Sequence, residues 1–168
     1  TALCQQGDFD RSMEEHRMAL SIREAELGKN HSMTAESHTD IGIVLCQKGD
    51  YDIAEWRHRK ALRIREAVRG KEHEDCAVSY SHLGLVLSKK GDFDGAMQEM
   101  RRSLQIREKN IGRDHPLTAN CYVDMGNIQC REGAYEDALQ KFRWAMVIRE
   151  SRLGELHPDT ADIYICLG

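Results

Sequence analysis

The sequence predicts an all-α chain built as an array of antiparallel helix pairs, and three observations carry that reading. One phrase recurs at a fixed step: Gly28-Lys29-Asn30-His31, Gly70-Lys71-Glu72-His73, Gly112-Arg113-Asp114-His115 and Gly154-Glu155-Leu156-His157 begin 42 residues apart, and the 168 residues amount to four such units. A fixed period of roughly 20–50 residues marks a repeat architecture, in which one unit cannot bury its own apolar face and must stack on its neighbours. Within a unit, the spacing of 3, 3 and 4 through Ala77, Tyr80, Leu83 and Leu87 is helical rather than strand-like. Only two prolines occur, so long helices run uninterrupted. Residues 1–168 therefore read as a single array of about four units, with partial helices over 1–6 and 158–168.

Residues 1–6 align with Ile43-Val44-Leu45-Cys46-Gln47-Lys48 and read as the back half of a first helix. Gly7, Gly49, Gly91 and Gly133 follow as left-handed C-terminal caps. Asp8, Asp50 and Asp92 come next, placed to cap the following helix; Ala134 breaks that column, at a cost of about 1 kcal/mol. Phe9, Tyr51, Phe93 and Tyr135 form an aromatic column expected to be buried.

The second helix, about 51–68 in the second copy, carries the strongest repetition. Arg17, Arg59, Arg101 and Arg143 share a column, and Ile-Arg-Glu recurs at 22–24, 64–66, 106–108 and 148–150. Small residues recur at Ser12, Ala54, Ala96, Ala138 and again at Ala19, Ala61, Ser103, Ala145, which lets two helices approach closely. The Gly-x-x-His turn then opens the next first helix, with Pro116 and Pro158 where a missing N–H costs nothing. Along that helix Ala35, Ala77, Ala119 and Ala161 share a column, as do Gly42, Gly84, Gly126 and Gly168.

Bulk properties exclude several function classes. A net charge of −4 and a pI near 6.1 offer no basic stripe for nucleic acid. No apolar run approaches the roughly 20 residues of a membrane span. Six cysteines occur, three of them (Cys4, Cys46, Cys130) in one column. Equivalent columns lie about 10 Å apart on stacked helices, beyond the roughly 7 Å Cα separation a disulfide tolerates. Cys76, Cys121 and Cys166 show no Cys-x-x-Cys spacing for zinc. The thiols read as reduced and mostly buried, in a cytoplasmic protein.

The unit resembles the tetratricopeptide repeat, whose pattern W-x2-L-G-x2-Y…A-x3-F…P describes a helix–turn–helix. The matching residues are Tyr80-x2-Leu83-Gly84-x2-Leu87 with Ala96-x3-Met100, and Tyr122-x2-Met125-Gly126 with Ala138-x3-Phe142. His58 and His16 stand where the pattern has an aromatic residue. Ile-Arg-Glu replaces the closing proline, which lengthens the unit beyond 34 residues and makes it similar to the repeats of the kinesin light chain. The resemblance implies a right-handed superhelical solenoid with first helices lining a concave groove. It also implies a module that binds a protein or peptide there. Transferred to this chain, the groove comprises Glu36, Thr39, Asp40, Ile43 and Gln47; then Val78, Ser81, His82, Leu85 and Lys89; then Asn120, Val123, Asp124, Asn127 and Arg131. Where the kinesin light chain has asparagines, this chain has Thr39-Asp40, Ser81-His82 and Val123-Asp124.

The four histidines of Gly-x-x-His lie too far apart on stacked repeats to converge on zinc, so no metal is expected and turn capping is the better reading. The Arg and Glu columns suit ion pairs, each contributing about 0.2–1 kcal/mol, better than an anion ladder. His82 and Asp124 lack a neighbouring nucleophile, and no phosphate loop or Ser-His-Asp order occurs, so no catalytic residue and no cofactor are expected. Lys89 and Arg131 are two cations in equivalent groove columns, suited to a carboxylate. Trp56 and Trp144 fall in polar columns of second helices and read as partly exposed, stacked on side chains such as Arg59 or Lys60 or serving as a second binding surface. The alternative function is a scaffold in which copies stack head to tail, since the chain shows no polar capping helix and such contacts propagate.

Overall fold

The computed structural model describes the backbone of residues 2–167 and the side chains of residues 9–164. It contains α1 (Ala2–Leu27), α2 (Ser32–Lys48), α3 (Tyr51–Arg69), α4 (Glu74–Lys90), α5 (Phe93–Asn110), α6 (Pro116–Glu132), α7 (Tyr135–Leu153) and α8 (Pro158–Leu167), with no strand among the described residues. This is the all-α repeat fold that the period implied. Thr1 and Gly168, and the side chains of Cys4, Asp8 and Cys166, for which the sequence carried expectations, lie outside the described residues.

Local sequence explains the boundaries. Gly49, Gly91 and Gly133 take φ of 92°, 87° and 91°. Their successors Asp50, Asp92 and Ala134 then donate back to the carbonyls of Leu45, Leu87 and Gln129 at 2.9–3.0 Å, closing the first helices with a Schellman-type turn. At the other turn, His31, His73, His115 and His157 accept through Nδ1 from the N–H two residues on, at 3.1–3.2 Å. Thr34, Thr118 and Thr160 hydroxyls and the Cys76 thiol donate to the carbonyls of Gly28, Gly112, Gly154 and Gly70. The recurring histidine is thus the N-cap of each first helix.

Three sequence expectations are corrected. Gly7 does not end a helix: α1 runs unbroken through it. The aspartate cap forms at Asp92, which accepts from Gly95 N at 2.9 Å, and not at Asp50. A Cβ at position 95 would stand 2.3 Å from the Asp92 carboxylate, and Asp50 has Ile53 in that place. The aromatic column is only partly buried at Phe9, Tyr51 and Phe93, and Tyr135 is exposed.

Packing follows the small-residue columns. Ala54, Ala96, Ala138, Ala61, Ser103 and Ala145 are all buried. Gly42, Gly84 and Gly126 let the side chains of His58, Met100 and Phe142 lie directly on the first helix; a Cβ at Gly126 would meet the Phe142 ring at 2.6 Å. The Ile-Arg-Glu motif stitches each second helix to the next first helix. Arg23, Arg65, Arg107 and Arg149 donate to Ser37, Ser79, the Leu117 carbonyl and the Asp159 carbonyl. Glu66, Glu108 and Glu150 accept from Tyr80, Tyr122 and Tyr164, in each case 14 residues on. These columns were expected to form ion pairs. Several do: Arg59 pairs with Glu55 at 2.8 Å, Arg107 with Glu74 at 3.0 Å and Arg23 with Glu36 at 3.8 Å, while the buried Arg65, Arg107 and Arg149 also bond neutral groups.

Candidate groove on the first helices

First helices touch one another, α2 against α4 and α4 against α6, as well as their second helices. The side on which neighbours touch is the inside of the curve, so α2, α4 and α6 form the concave wall. Helical periodicity leaves one stripe of each facing outward from the core. Glu36, Ile43, Gln47, Leu85, Lys89, Asn127 and Arg131 are exposed, and Asp40, Val78, His82, Asn120, Val123 and Asp124 are half-buried. Thr39 and Ser81 depart from expectation: both are buried. The Thr39 hydroxyl bonds the Ala35 carbonyl at 3.1 Å, and Ser81 shares a 2.8 Å hydrogen bond with Ser103 of α5. Their position turns them toward the second helix.

The remaining stripe differs in chemistry from copy to copy. Ile43 and Leu85 supply apolar area in adjacent copies, each at 36% exposure. Lys89 and Arg131 lie close enough to Cys46 to pull its thiol pKa down, against burial, which pushes it up more strongly. Both cations therefore reach the same part of the wall, and neither is in an ion pair among the described residues. Asn120 is held by Arg149, whose Nη2 donates to Oδ1 at 2.8 Å.

The floor contains groups that sequence reasoning missed. Arg65, Arg107 and Arg149 come from second helices and are buried. Arg107 acts on both His82 and Asp124. Burial raises the Asp124 carboxyl to about 6, with Arg107 and Arg149 opposing the rise. His82 is pushed down by burial, then by Arg65 and Arg107, and its ring stacks on His58 with centroids 5.1 Å apart. The signal in the sequence was the arginine's presence in all four copies. An arginine that never varies is one whose surroundings never vary.

Away from the groove, Trp56 and Trp144 are 49% and 43% exposed. Arg57 and Lys60 lie over the Trp56 ring at 5.0 and 5.4 Å, and Lys141 lies over Trp144 at 4.2 Å. Lys60 was expected there; Arg57 replaces Arg59, which is held by Glu55 at 2.8 Å. Cys46, Cys76, Cys121 and Cys130 are free thiols, the middle two buried. No group of three metal-ligating side chains occurs among the described residues, and no helix is long and apolar enough to cross a membrane.

Comparison with known proteins places this geometry. The tetratricopeptide repeat family matches residues 1–67, 38–109 and 75–151. Among solved structures, the chain is similar to BtubC (BKLC) from P. vanneervenii, with a TM-score of 0.82 at 21% identity over 97% of this chain and 65% of that one. It thus spans just under two thirds of that protein's length. Two structures of the nearly identical TPR-like repeats of a kinesin light chain-type protein from Podosopora anserina give TM-scores of 0.78 and 0.77 at 16% identity, over 97% of this chain and 77% of theirs. At such identities the likeness concerns the fold. No curated protein matches the chain in sequence.

Proposed function

Because the chain belongs to the tetratricopeptide repeat family, we propose that it is a protein-interaction module whose concave wall receives a segment of a partner protein. One observation carries this reading: the small-residue columns and the arginines Arg65, Arg107 and Arg149 repeat and are buried as a structural frame, while the outward stripe of the first helices does not repeat. Glu36, Val78 and Asn120 share one column; Ile43, Leu85 and Asn127 another; Gln47, Lys89 and Arg131 a third. A surface that varies on a frame that does not is what recognition of one particular segment requires. Ile43 and Leu85 suit an apolar side chain, and Lys89 with Arg131 suits a carboxylate through charge-assisted hydrogen bonds. The module has no catalytic role in this reading. The free thiols support a reducing compartment such as the cytoplasm.

Selection from a peptide-display library, run beside a Lys89→Glu/Arg131→Glu variant, tests it. An acidic motif that the variant loses supports the groove. Enrichment that survives in the variant moves the site elsewhere, and no enrichment sinks the peptide-receptor reading. A second reading, copies stacking head to tail, is favoured by Ile22: it is 61% exposed, whereas Ile64 and Ile106 in the same column are buried. Sedimentation of a monomer at every concentration would exclude it.

A further inference from the structure

On the opposite, convex side, consecutive second helices stand apart and leave furrows floored by the first helix between them. The first furrow, between α1 and α3, holds a cavity of about 460 Å³ whose walls include Met13, Arg17, Ile53 and Arg57 over a floor of Ile41 and Leu45. The second furrow, one repeat on, shows how the fold satisfies the same cations when it supplies its own anion. There Glu55 occupies the column of Met13 and lies 2.8 Å from both Arg59, the counterpart of Arg17, and Lys90, the counterpart of Lys48. Those bonds hold the Glu55 carboxyl below its ordinary range, although burial pushes it up. The second furrow also has Glu99 where the first has Arg57. In both furrows the lysine keeps its aspartate, Lys48 with Asp10 at 3.4 Å and Lys90 with Asp52 at 2.6 Å. Among the described residues, the first furrow has Met13 and no carboxylate at the position of Glu55, between Arg17 and Lys48.

Two cations face that gap. Arg17 has no carboxylate within 4.0 Å among the described residues. Arg57 donates through Nη1 to His38 Nδ1 at 3.0 Å and packs on the Trp56 ring, while its buried Nε has no partner. His38 is neutral near pH 7, its pKa lowered to about 4 by burial and then by Lys60 and Arg57, so it accepts this bond without neutralising the guanidinium. Burial lowers the Arg57 pKa, Arg17 depresses it further, and Glu24 opposes both.

We propose that the furrow between α1 and α3 is a second binding site, for a glutamate side chain of a partner protein with an apolar residue beside it, the carboxylate bridging Arg17 and Arg57 and its neighbour resting on Ile41, Leu45 and Ile53. Charge complementarity names the acid, and Glu55 is its internal template. The rim limits the charge it accepts: Glu14 and Asp50 are exposed there beside Asp10, so a run of acidic residues is repelled and a single glutamate in apolar company is not. This site is independent of the concave wall.

The test uses the peptide acetyl-Leu-Glu-Leu-amide, titrated into the whole chain while the arginine Nε–H and tryptophan indole signals are followed by NMR. Saturable shifts at Arg17, Arg57 and Trp56 are expected, with acetyl-Leu-Gln-Leu-amide binding about tenfold more weakly or less. Met13→Glu gives the furrow its own carboxylate, on the pattern of Glu55; Met13 is a core residue, so its fold is checked by thermal melting, and the folded variant is expected to lose the shifts. Arg17→Gln is expected to lose them as well. Equal binding of the two peptides, shifts that persist in a folded Met13→Glu chain, or no shift at these three residues would each overturn the assignment. Shifts confined to Arg131 would do the same while leaving the concave reading standing.

Discussion

At the scale of single residues, the buried histidines give the chain a pH dependence whose sign follows from their environment. Burial, then His82 and Arg65, lower the His58 pKa to about 3; burial, then Lys60 and Arg57, lower that of His38 to about 4. Both folded values lie below the ordinary 6.5, so the folded chain binds fewer protons than the unfolded one. The stability concerned is present above pH 6.5 and is lost as the pH falls toward the folded values, at up to about 1.4 kcal/mol per pH unit for each histidine. Asp124 acts in the opposite sense. Its folded pKa is raised to about 6, so its contribution is complete at low pH and lost as the pH rises through 6. Thermal melts are therefore expected to fall from pH 7 to pH 4.5. His58→Phe, which copies Phe142 over Gly126, should flatten that slope by about one proton, and Asp124→Asn should steepen it. An unchanged slope in His58→Phe would exclude the account.

At the scale of elements, helix starts are fixed by two capping devices of different reliability. The histidine cap repeats at every first helix because it needs only the residue two positions on. The aspartate cap depends on what stands three positions on, and in the rotamer seen at Asp92 only Gly95 leaves room. Asp92→Ala should therefore cost about 1 kcal/mol in denaturant unfolding, whereas Asp50→Ala should change it by less than about 0.5 kcal/mol. Equal losses would show that Asp50 caps in solution too. The helix bounds themselves were legible, since glycine, capping residue and apolar period coincide at each one. Gly7 is the exception, since α1 runs through it.

At the scale of the whole molecule, stability in a stacked array comes from neighbouring helices, so it is greatest in the middle. α4 packs on α3 and α5 and also touches α2 and α6. Its amides, with those of α5, are expected to exchange hydrogen most slowly, and those at the start of α1 and in α8 fastest. Uniform protection across all eight helices would mean that the array unfolds as one cooperative block. The same stacking separates the two candidate surfaces: the varied concave stripe, where first helices touch, and the convex furrow, where second helices part.

The sequence by itself determined the 42-residue period, the all-α class, the bounds of the helices after α1 and the glycine turns at Gly49, Gly91 and Gly133, because these depend on residues within a few positions of one another. Of the stripe of first-helix positions that it marks, most are exposed or half-buried. Thr39 and Ser81 lie on the edge of that stripe, and only the rotation of one helix against the next turned them inward. Burial of Arg65, Arg107 and Arg149, and the unanswered charge of Arg17 and Arg57, were likewise decided by tertiary structure. Repeat columns list which residues are equivalent; which of them meet, across a gap of one helix, depends on how far the stacked repeats part on each side.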